Sequence, residues 1–224
     1  MATIRHRQFR SADDLTTAVA DLLVDRFTRA FGRPHAVMLS GGTTPLAAYE
    51  ATAQRRGIAS DDVHLLLADE RMVPEASPES NLGHLRPLVQ SLELAEERLL
   101  CVRTALSLKR AADDYDRSLQ HFLRTGGRIT LGLLGLGADG HTASLFTPAD
   151  LTAARGSLAV AVKRAKGPDR VSVTPDLLKR VEALIFLVMG QDKQDVVSRL
   201  LKEPESLVAG QAVREAASVQ LWTA

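Results

Sequence analysis

Short apolar segments alternate with helical segments along almost the whole chain, and this alternation limits the folds open to it. The apolar runs are HAVMLS, VHLLLAD, RLLCV, RITLGLLG, SLAVAV and ALIFLVMG, with SVQLW as a candidate last strand. They are continuous in apolar residues, which is typical of strands buried on both faces. The sequence therefore predicts an α/β fold with a mostly parallel, twisted sheet and helices on both faces.

The helical segments carry start and stop signals of their own. Apolar residues recur at helical spacing across residues 11–32, where Ser11 is a candidate N-cap. Further helices are predicted over TTPLAAYEATAQRRG, ended by Gly57, over residues 81–92, and over SLKRAADDYDRSLQHFLRTGG and QDKQDVVSRLLK. No linker, low-complexity run or repeat interrupts the pattern, so residues 1–224 are predicted to form one domain.

The charges nearly cancel, with 28 basic and 27 acidic side chains. This balance gives no support to a nucleic-acid partner or an anionic membrane surface. No apolar run approaches the roughly 20 residues that span a bilayer, and the N-terminal segment lacks a secretory apolar stretch. Cys101, the single cysteine, lies in RLLCV and is expected to be an inert thiol in a buried strand. A cytoplasmic protein is predicted.

A glycine-rich cluster, SGGTTP, follows the strand HAVML. Its glycines let a backbone approach a ligand closely, and its threonine hydroxyls and helix-start amides can donate to an anion. It is not a Walker A loop, because no lysine precedes Thr43 or Thr44. Two interpretations stay open for it, a phosphate cradle and a tight turn before a capped helix.

A second cluster, ADERMVP, places Asp69, Glu70 and Arg71 at the carboxyl end of the strand VHLLL. Ligands of open parallel sheets bind beyond the carboxyl ends of the strands. The donor fork of Arg71 suits an oxyanion or a phosphate. The alternative is a salt bridge within a solvated loop.

The third cluster, LGLLGLGADGHTASLFTP, contains G-x-G-x-x-G at Gly135, Gly137 and Gly140. This pattern occurs in dinucleotide-binding loops, but the acidic residue expected about 20 positions later is missing from LAVAVKRAK. The other interpretation is a tight turn from strand to loop that presents Asp139 and His141. Their position at the end of a strand favours this second interpretation.

Cations are frequent in the last third of the chain: Lys163, Arg164, Lys166, Arg170 and Lys193. Lys193 lies near the start of a predicted helix, where a positive charge is unfavourable unless an anion is present. Ordinary surface charge must explain several of the others. The six histidines show no metal-binding spacing, and both G-x-S-x-G and H-E-x-x-H are missing, so no metal site is predicted.

Five blocks in chain order, LSGGTTP, LADERMVP with SN at residues 80–81, GLGADGHTASLF, KGPDRVSVTPDLL and MGQDKQDVV, resemble the 6-phosphogluconolactonase family from about residue 35 to 200. The resemblance implies a Rossmann-like fold, a sugar-phosphate lactone as the small-molecule partner, and no metal or organic cofactor. The implied reaction is hydrolysis of 6-phospho-D-glucono-1,5-lactone in the oxidative branch of the pentose phosphate pathway. A monomer or weak homo-oligomer is expected. The chain departs from the family pattern at Thr147 and at Ser172, where threonine is common.

The resemblance also implies roles for individual residues. His141 matches the proposed general base, and either Asp139 or Asp69 would support its ring. Arg71 matches the basic residue of the family's DER block, where it would bind the oxyanion or the phosphate. The implied substrate-binding residues are Ser40, Gly41, Gly42, Thr43, Thr44, Arg71, Arg170 and Lys193.

Two other functions stay open. Glucosamine-6-phosphate deaminases belong to the same wider group, but their motif resembles D-G-H with a glutamate five residues later, where this chain has Phe146. Their N-M-D-E-Y block is replaced by LADER. A catalytically silent sugar-phosphate-binding regulator is the third candidate. The joint presence of Asp69, Arg71, Asp139 and His141 argues against it.

Overall fold

A parallel sheet of seven strands forms the centre of the structure, a computed structural model that describes residues 3–55 and 57–224. The strands in chain order are β1 (Ile4–Gln8), β2 (His35–Leu39), β3 (Val63–Leu67), β4 (Asp69–Arg71), β5 (Leu99–Leu100), β6 (Arg128–Gly135), β7 (Ala159–Val162), β8 (Arg170–Val173), β9 (Leu184–Val188) and β10 (Val219–Thr223). The parallel sheet has the order β1-β10-β9-β6-β2-β3-β5. The predicted α/β class with a mostly parallel sheet is confirmed.

Helices cover both faces of this sheet, as predicted. They are α1 (Ala12–Thr28), α2 (Thr43–Ala53), α3 (Asn81–Ser91), α4 (Leu108–Arg124), α5 (Pro148–Ala153), α6 (Pro175–Leu178), α7 (Gln194–Lys202) and α8 (Val208–Ala212). In β2, Val37 and Leu39 join a core with α1, α2 and α3, whereas Ala36 and Met38 join a core with α4, α6, α7 and α8. None of the helices in the described part of the chain is long and apolar enough to cross a membrane.

The helix signals in the sequence are confirmed at several ends. Ser11 caps α1, and its Oγ accepts a hydrogen bond from the Asp14 amide at 3.1 Å. Thr147, one of the departures from the family pattern, caps α5 in a reciprocal capping box with Asp150. The helix α2 ends earlier than predicted, at Ala53 rather than next to Gly57.

A second sheet, of three antiparallel strands in the order β4-β8-β7, was not predicted. ADER was expected to be a loop, but Asp69–Arg71 is a strand in which Asp69 pairs with Ser172 and Arg71 with Arg170. SLAVAV was assigned to the main sheet, and its strand β7 belongs to this one. Short apolar runs are compatible with either sheet, because hydrophobic pattern does not specify the pairing partner.

The prediction of a buried strand at Cys101 was wrong. Only the two residues Leu99 and Leu100 form β5, and both are half-buried because β5 is an edge strand. Cys101 follows this strand and is itself half-buried. Burial raises the pKa of its thiol to about 12, so the thiol stays protonated and weakly nucleophilic at neutral pH.

Glu70 fastens the start of α3 to β4. Its Oε1 accepts hydrogen bonds from the amides of Arg71 (2.7 Å) and Asn81 (2.8 Å), and its Oε2 accepts one from the Leu82 amide (2.8 Å). Burial raises the pKa of this carboxyl, and the three amide hydrogen bonds offset part of that effect. A carboxylate at a helix N-terminus is also favoured by the helix dipole. The alternative of a solvated salt bridge is therefore wrong for Glu70.

Replacing Glu70 with Gln should lower the free energy of unfolding by about 1–3 kcal/mol, because an amide nitrogen cannot accept and leaves buried donors unpaired. Urea unfolding of both proteins measures this difference. Glu79→Gln is the matched control, since Glu79 is exposed and should change stability by no more than about 0.5 kcal/mol. An unchanged midpoint in Glu70→Gln would show that this cap does not stabilise the fold.

Candidate active site

A cavity of about 390 Å³ opens beyond the carboxyl ends of β2, β6 and β9. Every predicted site residue except Asp139 lines it. These lining residues are Ser40, Gly41, Gly42, Thr43, Thr44, Asp69, Arg71, His141, Arg170 and Lys193. The three polar clusters are far apart in the chain and meet here, because the parallel strands end at one edge of the sheet.

Asp139 holds the imidazole ring of His141. Asp139 Oδ1 lies 2.5 Å from His141 Nδ1 and accepts a further hydrogen bond from the His141 amide at 3.2 Å. Burial alone would raise the pKa of Asp139, but these bonds bring it below its ordinary value. The group is therefore a carboxylate at neutral pH. An ionised carboxylate can only accept, which places the ring proton on Nδ1 and leaves Nε2 of the neutral ring as an acceptor.

Asp69 has a different partner. Its Oδ2 accepts a hydrogen bond from Ser144 Oγ at 2.6 Å, and its backbone oxygen accepts one from Asn81 Nδ2 at 2.8 Å. The Ser144 amide in turn donates to Ser172 Oγ at 3.1 Å, so serine at this departure from the family pattern serves as an acceptor. Of the two carboxylates that the sequence left open, the one in contact with the His141 ring is Asp139.

Gly137 makes room for this pair. A Cβ at position 137 would lie 2.1 Å from His141 Nδ1 and 2.5 Å from Asp139 Oδ1. Gly140 has a φ of 86°, in the left-handed region that favours glycine. Gly137, the middle glycine of G-x-G-x-x-G, is thus required because a larger residue would clash with the His141 ring. This steric requirement accounts for the glycine without a bound dinucleotide.

The SGGTT loop has the features of an anion cradle, with one exception. Gly42 has a φ of 105°, and the first turn of α2 has no side-chain cap, so its amides have no cap acceptor among the described residues. A Cβ at Gly41 would lie 2.0 Å from Asn81 Oδ1. The exception is Ser40, whose hydroxyl donates to the Leu133 carbonyl at 2.8 Å. Ser40 therefore ties the loop to β6, and its hydroxyl is not free for a ligand.

Four cationic side chains line the cavity, Arg71, Arg164, Arg170 and Lys193, and Asp69 is the one carboxylate among its described lining residues. Across residues 3–55 and 57–224, none of the four lies within 4 Å of a carboxylate oxygen. Burial and the neighbouring guanidinium of Arg71 lower the pKa of Arg170. The cavity is therefore electropositive and suited to an anion.

Other predicted cations are placed differently. Lys163 and Lys166 are exposed and do not line the cavity. Lys193 precedes α7 and its Nζ donates to the Leu136 carbonyl at 3.3 Å. Within the described residues, no group of three or more His, Cys, Asp and Glu side chains could hold a metal ion.

Several residues that line the cavity were not assigned a site role from the sequence. Asn81 donates to the Asp69 carbonyl and accepts from Arg71 Nη1 at 2.8 Å, which joins two lining residues. Phe146 packs on His141 with ring centroids 4.6 Å apart. Both lie inside the blocks that carry the family resemblance. Arg164 had no such signal, because in sequence it looks like the lysines around it.

Comparisons with known proteins identify the family of this chain. Residues 10–222 match the family described as glucosamine-6-phosphate isomerases/6-phosphogluconolactonase. A 6-phosphogluconolactonase of Rattus norvegicus is 30% identical over 227 residues, which cover 96% of this chain and 88% of that protein. The human GDH/6PGL endoplasmic bifunctional protein is 33% identical over 192 residues, or 80% of this chain. That match covers 24% of the bifunctional protein, so this chain spans about a quarter of its length.

The fold is similar to that of solved structures. The crystal structure of a 6-phosphogluconolactonase from Thermotoga maritima superposes with a TM-score of 0.75 at 25% identity, and covers 100% of both chains. With the family match over nearly the whole sequence, the chain belongs to the glucosamine-6-phosphate isomerase/6-phosphogluconolactonase family.

Proposed function

We propose that this protein hydrolyses 6-phospho-D-glucono-1,5-lactone to 6-phospho-D-gluconate, as a lactonase of the oxidative pentose phosphate pathway. The observation that carries the proposal is the Asp139–His141 pair, which borders a cavity whose cations have no carboxylate partner within the described residues. A base and an anion-binding surface in one cavity suit a phosphorylated ester. The relatives named 6-phosphogluconolactonase support the same substrate.

In the proposed mechanism, Nε2 of His141 accepts a proton from a water molecule as that water attacks the lactone carbonyl carbon. The bond between this carbon and the ring oxygen then breaks, and the imidazolium returns the proton to the departing alkoxide. The carboxylic acid so formed ionises to the carboxylate. Asp139 keeps the proton on Nδ1 throughout and stabilises the imidazolium, which is the role of an orienting carboxylate.

The other lining residues bind the substrate in this proposal. The amides at the start of α2, with Thr43 and Thr44, and the cations Arg170 and Lys193 hold the phosphate. Binding at this remote group fixes the lactone carbonyl beside His141. Arg71 stabilises the oxyanion or contributes to the phosphate site.

Asp69 completes the proposed site as a second carboxylate. Its Oδ1 carries no hydrogen bond within the described residues, in contrast to Oδ2, which Ser144 occupies. We therefore assign Asp69 to a substrate hydroxyl rather than to the imidazole. The chain is further proposed to act as one domain in the cytoplasm, as a monomer or weak homo-oligomer. The pairing of β1 with β10 supports the single domain, since it joins the two ends of the chain in one sheet.

The deaminase reaction is less well supported. Phe146 stands at the position of the glutamate in the deaminase motif and packs on His141, so this position offers an apolar ring and no acid. A silent binding protein would not need a carboxylate hydrogen-bonded to the histidine.

The assay that tests the proposal measures acid release from freshly made 6-phosphogluconolactone above the spontaneous rate, with EDTA present. Well-folded protein without acceleration would refute the proposal.

His141→Ala should lower kcat by about 10²-fold to 10⁴-fold, the usual contribution of a general base. Asp139→Asn should also lower kcat. The amide can donate its NH₂ group to Nδ1, which favours the tautomer with the proton on Nε2, and that tautomer cannot act as the base. Calorimetry with 6-phosphogluconate should give a Kd close to that of the wild type in both variants. Wild-type turnover in His141→Ala would remove the base assignment.

Gly137→Ala should lower kcat by about 10²-fold with little loss of stability, because its Cβ displaces the His141 ring from Asp139. Gly135→Ala is the matched control, since a Cβ there has no atom within 4 Å. The two variants are compared at saturating lactone, with thermal unfolding to verify the fold. Equal kcat values would contradict the required fit between Gly137 and the ring.

Lys193→Ala and Arg170→Ala should each raise KM and the Kd for 6-phosphogluconate by about tenfold or more, because each removes a charged donor to phosphate. Their kcat values should change much less. Initial rates over a range of lactone concentrations separate the two parameters. Unchanged product affinity in both variants would refute the proposed phosphate site.

A further inference from the structure

Arg164 lines the cavity, but the proposed mechanism gives it no role. It follows β7, and its backbone amide donates to Asp169 Oδ1 at 2.9 Å, which holds the loop that joins β7 to β8. Its guanidinium carbon lies 3.6 Å from the ring centroid of Phe146. Phe146 in turn packs on His141, so one aromatic ring contacts both the proposed base and this arginine.

The guanidinium of Arg164 is held in place without a polar partner. Its Nε–H is buried and has no hydrogen-bond acceptor among the described residues, and no carboxylate oxygen there lies within 4 Å of it. Arg71 has the same buried, unpaired Nε–H at the same cavity. Buried donors in folded proteins are nearly always paired. Arg71 and Arg164 both line the cavity, so an anion bound there would supply acceptors for their guanidinium groups.

Arg164 shares the cavity with a member of the proposed phosphate site. Arg170 lines the same cavity as Arg164 and Arg71, and Arg71 lies opposite Arg170 in the pairing of β4 with β8. Guanidinium groups around one cavity repel one another, and an anion bound among them offsets this repulsion. A phosphate dianion has the charge and the number of acceptors to bind several of them.

We propose that Arg164 is a specificity-determining residue that binds the phosphate of the substrate, with Phe146 as the residue that positions its guanidinium. The inference rests on the proposed lactonase function. Stacking on an aromatic ring fixes the plane of a guanidinium and leaves its N–H groups in that plane free to donate. Arg164 thus favours a phosphorylated lactone over the same lactone without phosphate.

The test compares Arg164→Gln with wild type on 6-phosphogluconolactone and on unphosphorylated glucono-1,5-lactone. Arg164→Gln should raise KM for the phosphorylated lactone, and the Kd for 6-phosphogluconate, by about tenfold or more. Its kcat/KM for the unphosphorylated lactone should stay within about threefold of wild type. Arg164→Lys keeps the charge but loses the planar donor fork, so its KM and Kd should lie between those of wild type and Arg164→Gln.

Lys163→Gln is the matched control, because it removes the same charge from the adjacent, exposed position. Its KM and Kd should equal those of wild type. A double-mutant cycle with Phe146→Leu tests the positioning role. Phe146→Leu should weaken 6-phosphogluconate binding when Arg164 is present, and should have no further effect on binding in Arg164→Gln.

Unchanged KM and Kd in Arg164→Gln would overturn the inference, and so would an equal loss on both lactones. Failure of the proposed function is distinguishable from these results. If wild type binds 6-phosphogluconate without hydrolysing the lactone, the lactonase proposal fails while the Kd comparison still decides the role of Arg164. If calorimetry detects no binding of 6-phosphogluconate to wild type, both proposals fail.

Discussion

The antiparallel pairing of β4 with β8 is the interaction on which the cavity depends. It adds a small sheet to the carboxyl edge of the main one and places Arg71 directly opposite Arg170. Like charges opposite each other across strands destabilise a sheet. The pairing persists because Val171 and Val173 of β8 are fully buried in the core and because Glu70 of β4 binds the start of α3. Apolar burial and helix capping thus hold two cations together at the site.

Several residues that line the cavity have unusual backbone geometry or unpaired donors. Ala143, just after His141, has a φ of 48°, which side chains rarely adopt. The Nε–H groups of Arg71 and Arg164, which line the cavity, are buried without acceptors among the described residues. Such departures can mark functional geometry. In this chain they also occur elsewhere, since Glu93 has a φ of 52° and Arg26 has a buried Nε–H without an acceptor among the described residues.

Much of the fold and most of the site could be predicted from local sequence. Continuous apolar runs specified the central strands, and the polar residues after them, such as His141 and Asp69, were placed correctly at one edge. The second sheet could not be predicted, because β7 and β4 are short and their pairing is set by contacts distant in sequence. Arg164 was indistinguishable from Lys163 for a similar reason. In the folded chain Arg164 is half-buried and stacks on Phe146, whereas Lys163 is exposed.

The strand order of the main sheet has a consequence for how the chain is built. β1 lies at an edge, and its one neighbour in the sheet is β10, which is the last strand in the sequence. During synthesis the first strand therefore has no partner in this sheet until the last one has emerged from the ribosome. Closure of such a long loop is an entropically slow step. The central strands β2, β3 and β6 can pair earlier, so the edge formed by β1 and β10 should be the part of the sheet that is assembled last during folding.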